Sequence, residues 1–197
     1  GNHVYESEKL DAAAARILKE LTGIEKVYLE QFRTFADPDR LQKPNDRRWL
    51  KSIGLNLDNR VVTVSYFSLM NCNNVHLTLS KRTVSWHDIR SLPKLGYDHA
   101  SIIQEALIML QNRMRIEPLG FELLPQKFTL TELQKVYEVL FEKSLDKRNF
   151  RRKISRMKYL IPLREKQKGV THKPAQLYMF SRDIYEKTRH DSFDLFV

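Results

Sequence analysis

A chain of 197 residues has room for one large domain or two small ones, and at 42% hydrophobic and 29% charged it is neither wholly disordered nor fibrous. No stretch nears the ~20 apolar residues that span a bilayer, the first residues lack the pattern of a signal peptide, and the lone Cys72 excludes an internal disulfide and any Cys-rich zinc site, so a soluble cytoplasmic protein with no membrane partner is expected. The formal charge is +10, from 34 Lys and Arg against 24 Asp and Glu.

From Ser7 to Gly23 the apolar residues Leu10, Ala13, Ala14, Ile17, Leu18 and Leu21 recur at helical spacing, and Gly23 stands where a left-handed C-cap ends the helix. Val27 to Phe35 reads as a strand. Asp37 to Asn59 is polar and reads as a long surface connection, with one helical turn expected around Trp49–Ile53. Arg60 to Met70, rich in β-branched and aromatic residues, predicts a strand, with a second short one near Thr83–Trp86. Pro93 to Asp98 reads as a turn. The stripe Ile102, Ile103, Ala106, Leu107 and Leu110 predicts a helix over Asp98–Arg115. This first part is mixed α and β.

Ile116 to Gln126 contains Pro118, Gly120 and Pro125 and reads as the boundary between a first domain, 1–116, and a second, 117–197. Beyond it, Thr129-Leu130-Thr131-Glu132 is a capping box opening a helix whose buried face is Leu133, Val136, Tyr137 and Leu140. Asp146 is the expected N-cap of a further helix running to about Met157. Leu160–Leu163 and Gln176–Phe180 bracket a polar segment and predict a hairpin. Helix, tight turn, helix and hairpin is the order of a winged helix-turn-helix.

Charge follows the same division. Residues 1–126 hold 17 basic and 15 acidic side chains, a net of +2, whereas residues 127–197 hold 17 and 9, a net of +8. Between Lys143 and Lys173, 12 basic residues meet only Asp146 and Glu165. A near-neutral half beside a basic half suggests one module that recognises something small and one that meets a polyanion. The competing reading is a merely solvated face, although such faces usually mix both signs. On the second helix Phe150, Ile154 and Met157 share the expected buried face. Arg148, Arg152, Ser155 and Arg156 project the other way, with Asn149 and Arg151 on the flanks. Arg and Asn make bidentate contacts with guanine and adenine edges in the major groove. Lys147 and Lys153, nearer the core boundary, suit phosphate contacts, and Lys166, Lys168, His172 and Lys173 of the hairpin are placed to straddle the adjacent backbone. The histidines His3, His76, His87, His99, His172 and His190 show no metal-ligand spacing and read as ordinary.

The opening stretch G-N-H-V-Y-E-S-E-K-L-D-A-A-A-A-R-I-L-K-E-L-T-G-I resembles the Nudix box, G-x5-E-x7-R-E-U-x-E-E-x-G-U, with U a bulky aliphatic. In that family the box is a loop–helix–loop whose glutamates hold Mg²⁺ against a pyrophosphate. Glu8, Arg16, Leu18, Glu20, Gly23 and Ile24 agree with it. Asn2 replaces the first glycine, and Ile17 and Leu21 replace two of the three core glutamates. A hard divalent cation needs several anionic oxygens, so Mg²⁺ and hydrolysis are not expected and no cofactor is required. The sequence starts inside the box, so the strands that precede it in Nudix domains are expected to be missing, as in a fragment or a divergent fold.

Taken whole, the chain resembles the Nudix-related transcriptional regulators of bacteria, such as the NAD-metabolism repressors and the arabinose-responsive regulators. The resemblance lies in A-A-A-A-R-I-L-K-E-L-T-G-I, R-V-V-T-V-S-Y-F and L-P-K-L-G-Y-D-H. It is strongest in E-P-L-G-F-E-L-L-P-Q-K-F-T-L-T-E-L-Q-K-V-Y-E and L-D-K-R-N-F-R-R-K-I, between Glu117 and Ile154. It implies an α+β chain, a degenerate Nudix-like α/β/α effector domain followed by a winged helix. It also implies a homodimer on a palindromic double-stranded DNA operator, controlled by a sugar or nucleotide-sugar effector such as ADP-ribose or arabinose. Leu41–Asn59 looks like an insertion relative to many members. The alternative function is a working Nudix hydrolase of ADP-ribose or a related diphosphate. An RNA-binding module is disfavoured, since no aromatic-studded sheet motif is present.

Overall fold

The first helix, α1 (Leu10–Thr22), buries Ala13 and stops at Gly23, whose φ of 76° directs its N–H back to the Lys19 carbonyl. Only glycine adopts that left-handed conformation without strain, and this explains where the helix ends. The computed structural model describes residues 2–41, 44–52, 60–72, 75, 77, 84–171 and 173–188. They fall into two units, 1–108 and 109–197. No helix among them is long and apolar enough to cross a membrane.

In the first unit, β1 (Glu30–Phe35) pairs antiparallel with β2 (Thr63–Phe67), with a bulge at Phe32 between the Gln31–Tyr66 and Arg33–Ser65 pairs. Both strands are shorter than the sequence pattern suggests. The Tyr66 hydroxyl donates to Asp11 of α1 at 2.9 Å, which ties the helix to the sheet. The polar segment after β1 is not simply a surface connection. It contains α2 (Pro44–Ser52), longer than the expected single turn, with Asp46 and Leu50 buried; residues 53–59 lie outside the described residues. The side chain of Arg40 from the same segment is buried, donating to the Phe35 carbonyl at 2.7 Å and to Asp98 at 2.9 Å. Residues 84–86 form no strand, contrary to expectation. Ser85 instead meets the His87 ring, and Asp88 caps a 3-10 turn at Ile89–Ser91. Local hydroxyl and carboxylate bonds of this kind compete with strand pairing. Thr83 lies outside the described residues.

The helix α3 (His99–Ile116) begins in the first unit and ends in the second, where Leu110 and Met114 are buried. The segment 116–126, which reads as a boundary in the sequence, folds into a 3-10 turn at Leu119–Leu123 and seats Phe121 in the second core. Phe121 stacks on Phe180 at 4.6 Å and meets Phe128 and Tyr159. The packing divides the chain at 108/109, eight residues before the expected 116/117 boundary, because Leu110 and Met114 at the end of α3 are buried in the second unit and Gln111 donates to the Leu140 carbonyl at 2.6 Å.

The helices α4 (Leu130–Phe141) and α5 (Lys147–Ile154) follow, then β3 (Leu160–Lys166), β4 (Gln176–Phe180) and α6 (Arg182–Thr188). β3 and β4 pair antiparallel, and Phe128 exchanges backbone hydrogen bonds of 3.0 and 2.8 Å with Tyr178 on the other edge of β4. Tyr178 stands opposite Pro162 but directs its N–H and C=O to Phe128, so the missing proline N–H leaves no gap in the ladder.

Gly120 lies against this core. A Cβ there would stand 3.0 Å from Tyr137 Cε2 and 3.1 Å from Met114 Cε, both on fully buried side chains. Gly120→Ala is expected to destabilise the second unit by about 1–3 kcal/mol through overpacking. Urea unfolding monitored by circular dichroism checks this; an unchanged midpoint would mean that Tyr137 and Met114 yield without loss.

Candidate functional site

In the second unit, α4 opens on the capping box expected from the sequence. Glu132 N–H donates to Thr129 Oγ1 at 3.2 Å, and Thr129 N–H to Glu132 Oε2 at 2.7 Å. Leu133 and Tyr137 face inward. The helix ends at Glu142, whose φ of 49° turns the chain. The tight turn that follows is clamped by two side chains one helical turn apart on α4. Glu138 Oε1 accepts from the Leu145 N–H at 2.9 Å, and Gln134 Nε2 donates to the Leu145 carbonyl at 2.9 Å. Gln134 also donates to Glu138 at 2.9 Å. These bonds hold the Glu138 carboxyl below its ordinary pKa, the Leu145 amide contributing most. They were not singled out in the sequence, although the Q-x3-E spacing on the helix was visible there.

Asp146 then caps α5, accepting from the Asn149 N–H at 2.7 Å. Phe150 and Ile154 are buried, and α5 ends at Ile154 rather than Met157. Lys147, Arg148, Asn149, Arg151, Arg152, Ser155 and Arg156 are exposed, and Lys153 is half-buried. Lys147, placed at the core boundary by periodicity, is exposed because the helix begins there. Lys166, Lys168 and Lys173 of the hairpin are exposed; His172 lies outside the described residues. Of the two acids in the basic stretch, Asp146 serves the cap, and Glu165 pairs with Lys127 at 2.8 Å. The outer face of α5 thus stands as a concentrated positive surface on a helix of the width a major groove admits.

In the first unit, the remnants of the box converge on Arg16. Its guanidinium forks onto Glu8, reaches Glu20 at 3.1 Å and the His3 carbonyl at 2.8 Å, and lies 4.0 Å from the centre of the Tyr5 ring. The hydrogen bond to Arg16 lowers the Glu8 pKa. Both surviving glutamates are thereby paired with one cation, and Ile17 and Leu21 offer no oxygen. The donor set does not fit Mg²⁺. Among the described residues no group of three His, Cys, Asp or Glu is placed to hold a metal ion. Beside Arg16, a cavity of about 230 Å³ is lined by Leu18, Lys19, Ile24, Lys26 and Leu29.

Residues 120–180 match the NrtR DNA-binding winged helix domain. Over 184 residues, 92% of this chain and 67% of the relative, the sequence is 32% identical to the ADPR responsive transcriptional repressor NtrR of Acinetobacter baylyi. Shewanella oneidensis NrtR superposes with a TM-score of 0.65 at 28% identity, covering 92% of this chain and 78% of the other. The same protein complexed with a 27mer DNA gives 0.65 at 26% identity, covering 97% and 80%. A MutT/nudix family protein from Enterococcus faecalis shares the fold at a TM-score of 0.56 and 22% identity, covering 90% and 72%. Both parts of the expected fold, Nudix-like and winged-helix, are shown by these likenesses.

A carboxylate whose folded pKa is depressed stabilises the fold above its unfolded pKa, and that contribution is lost as pH falls through the folded value. Glu138→Gln is therefore expected to be less stable than the parent chain at pH 7. The difference should narrow once pH drops below the ordinary glutamate value of 4.5. Urea unfolding at pH 7 and at about pH 3 decides it; an equal difference at both would remove the ionised carboxylate from the turn clamp.

Proposed function

This chain belongs to the NrtR family of Nudix-related, DNA-binding transcriptional regulators, and we propose that it represses transcription under the control of ADP-ribose held by its first unit. The observation that carries the reading is the clamped and capped α5, whose basic outer face lies within the stretch that matches the NrtR DNA-binding domain. The outer face of α5, which carries Arg148, Asn149, Arg151, Arg152, Ser155 and Arg156, turns toward the major groove, while Lys147, Lys153, Lys166, Lys168 and Lys173 contact the backbone. The chain acts as a cytoplasmic homodimer, which brings two reading helices about 34–36 Å apart onto an inverted repeat. ADP-ribose, to which the Acinetobacter relative is named as responding, is the effector. An effector changes DNA affinity only through different affinities for the two states, and such couplings are typically 1–3 kcal/mol.

The first unit senses without catalysis and needs no metal. What supports this is the pairing of Glu8 and Glu20 with Arg16, and the apolar Ile17 and Leu21 beside them.

The test uses a duplex selected by the whole chain from a random library. ADP-ribose is expected to shift affinity for that duplex by about 5- to 150-fold in mobility-shift titrations. Calorimetry that finds tight ADP-ribose binding with no change in DNA affinity would overturn the regulatory reading. With Mg²⁺ or Mn²⁺ in excess, ADP-ribose should remain intact by phosphorus NMR. Turnover of about 1 s⁻¹ or more, abolished by Glu20→Gln, would instead establish a hydrolase.

A further inference from the structure

Arg148 and Arg152 stand one turn apart on the outer face of α5, and helical periodicity treats them as equivalent. The structure separates them. The Arg152 Nη2 donates to Asn149 Oδ1 at 2.9 Å, whereas Arg148 has no hydrogen bond or ion pair among the described residues. Asn149 is itself fixed at the start of the helix, its backbone N–H donating to the Asp146 cap at 2.7 Å. Its side-chain oxygen must face the guanidinium, because the flipped amide would set donor against donor.

We propose that Arg152 is the base reader of α5 and that Asn149 is its positioning residue, with Arg148 acting as a mobile cation on the DNA backbone. This rests on the reading of α5 as a DNA-recognition helix. A guanidinium carries five donors in a rigid fork. One donor on Asn149 restricts the long side chain before DNA arrives and leaves others for the O6 and N7 of a guanine. Less freedom is then lost on binding, and the advantage appears only where the fork finds its acceptors. Arg148, unrestrained and one turn closer to the helix start, loses more freedom in any single bidentate geometry. A phosphate accepts it in many orientations, so its contribution is charge.

The experiment compares affinities for the selected duplex and for random duplex of equal length, across a salt series, in a double-mutant cycle. Arg152→Ala should lower the selected-to-random ratio by about 5- to 150-fold. Asn149→Ala should lower it by about 2- to 12-fold, with random-DNA affinity and salt slope unchanged. The double variant should be no worse than Arg152→Ala. Arg152→Lys should keep the salt slope and lose the ratio, while Arg148→Ala should weaken both duplexes alike and reduce the slope by about 1. Alanine keeps the backbone N–H that the cap needs and favours helix, so folding is preserved, as circular dichroism will register. Additive losses in the cycle would mean that Asn149 contacts a base itself, and would overturn its positioning role. A ratio lost as much with Arg148→Ala as with Arg152→Ala would overturn the division between the arginines. A parent chain that selects no duplex would instead refute the functional reading.

Discussion

Five cations in the eight residues of α5 (Lys147, Arg148, Arg151, Arg152 and Lys153) repel one another, and no isolated helix that short holds together in water. What holds this one is tertiary. Phe150 and Ile154 enter the core, Phe150 packing 6.2 Å from Tyr137 centre to centre. Asp146 satisfies the first turn, and Gln134 and Glu138 grip both backbone groups of Leu145 just before it. The surrounding unit can be understood as the support that a self-repelling helix requires. Phe128 joins the hairpin edge, Phe121 stacks on Phe180, and the 3-10 turn closes over Tyr137 at Gly120. Burial elsewhere in the unit offsets the repulsion among these cations.

The first unit treats charge in the opposite way. Arg16 is shared between Glu8 and Glu20, Lys19 pairs with Glu25, Arg33 with Glu105, Arg40 with Asp98 and Arg90 with Asp88. Three of these pairs, those of Lys19, Arg33 and Arg90, are exposed and contribute little stability each, but together the pairs leave the unit's surface without a strong field. The contrast is the physical content of the charge asymmetry along the chain. The second unit has ion pairs too, Lys127 with Glu165 and Arg182 with Glu122, but its basic residues outnumber its acidic ones, with the excess concentrated around α5. Arg40 differs from the rest in being buried, so removing Asp98 would leave a buried charge, a far larger penalty than loss of a surface pair.

The stretch that resembles the Nudix box keeps a helix and a glycine stop with only some of the motif's glutamates. Its helix, its glycine stop and its arginine–glutamate fork are structural, since they join the N-terminal loop to α1. Ile17 and Leu21 keep the helix amphipathic where carboxylates would have carried metal. Helix, cap and fork depend on Gly23, Arg16, Glu8 and Glu20, and not on the side chains at positions 17 and 21.

What the sequence determined by itself was local or periodic. The glycine that ends α1, the capping box of Thr129 and Glu132, the Asp146 cap, the buried faces of α4 and α5 and the uneven charge all follow from residues within about one helical turn of each other. The order of elements in the winged helix follows from them. Only the tertiary structure decided the contacts between residues far apart in the chain. The stretch with Pro118, Gly120 and Pro125 has the composition of a linker, and only its meeting with Phe180, some sixty residues on, makes Phe121 part of a core. Arg40 lies in a polar run that reads as solvent-exposed until Asp98 takes it inside. Even the Asn149–Arg152 bond, although its spacing was visible, required a side-chain orientation that periodicity does not specify. Caps and amphipathic stripes are encoded by short-range spacing, whereas burial and pairing depend on which distant surface the chain folds back against.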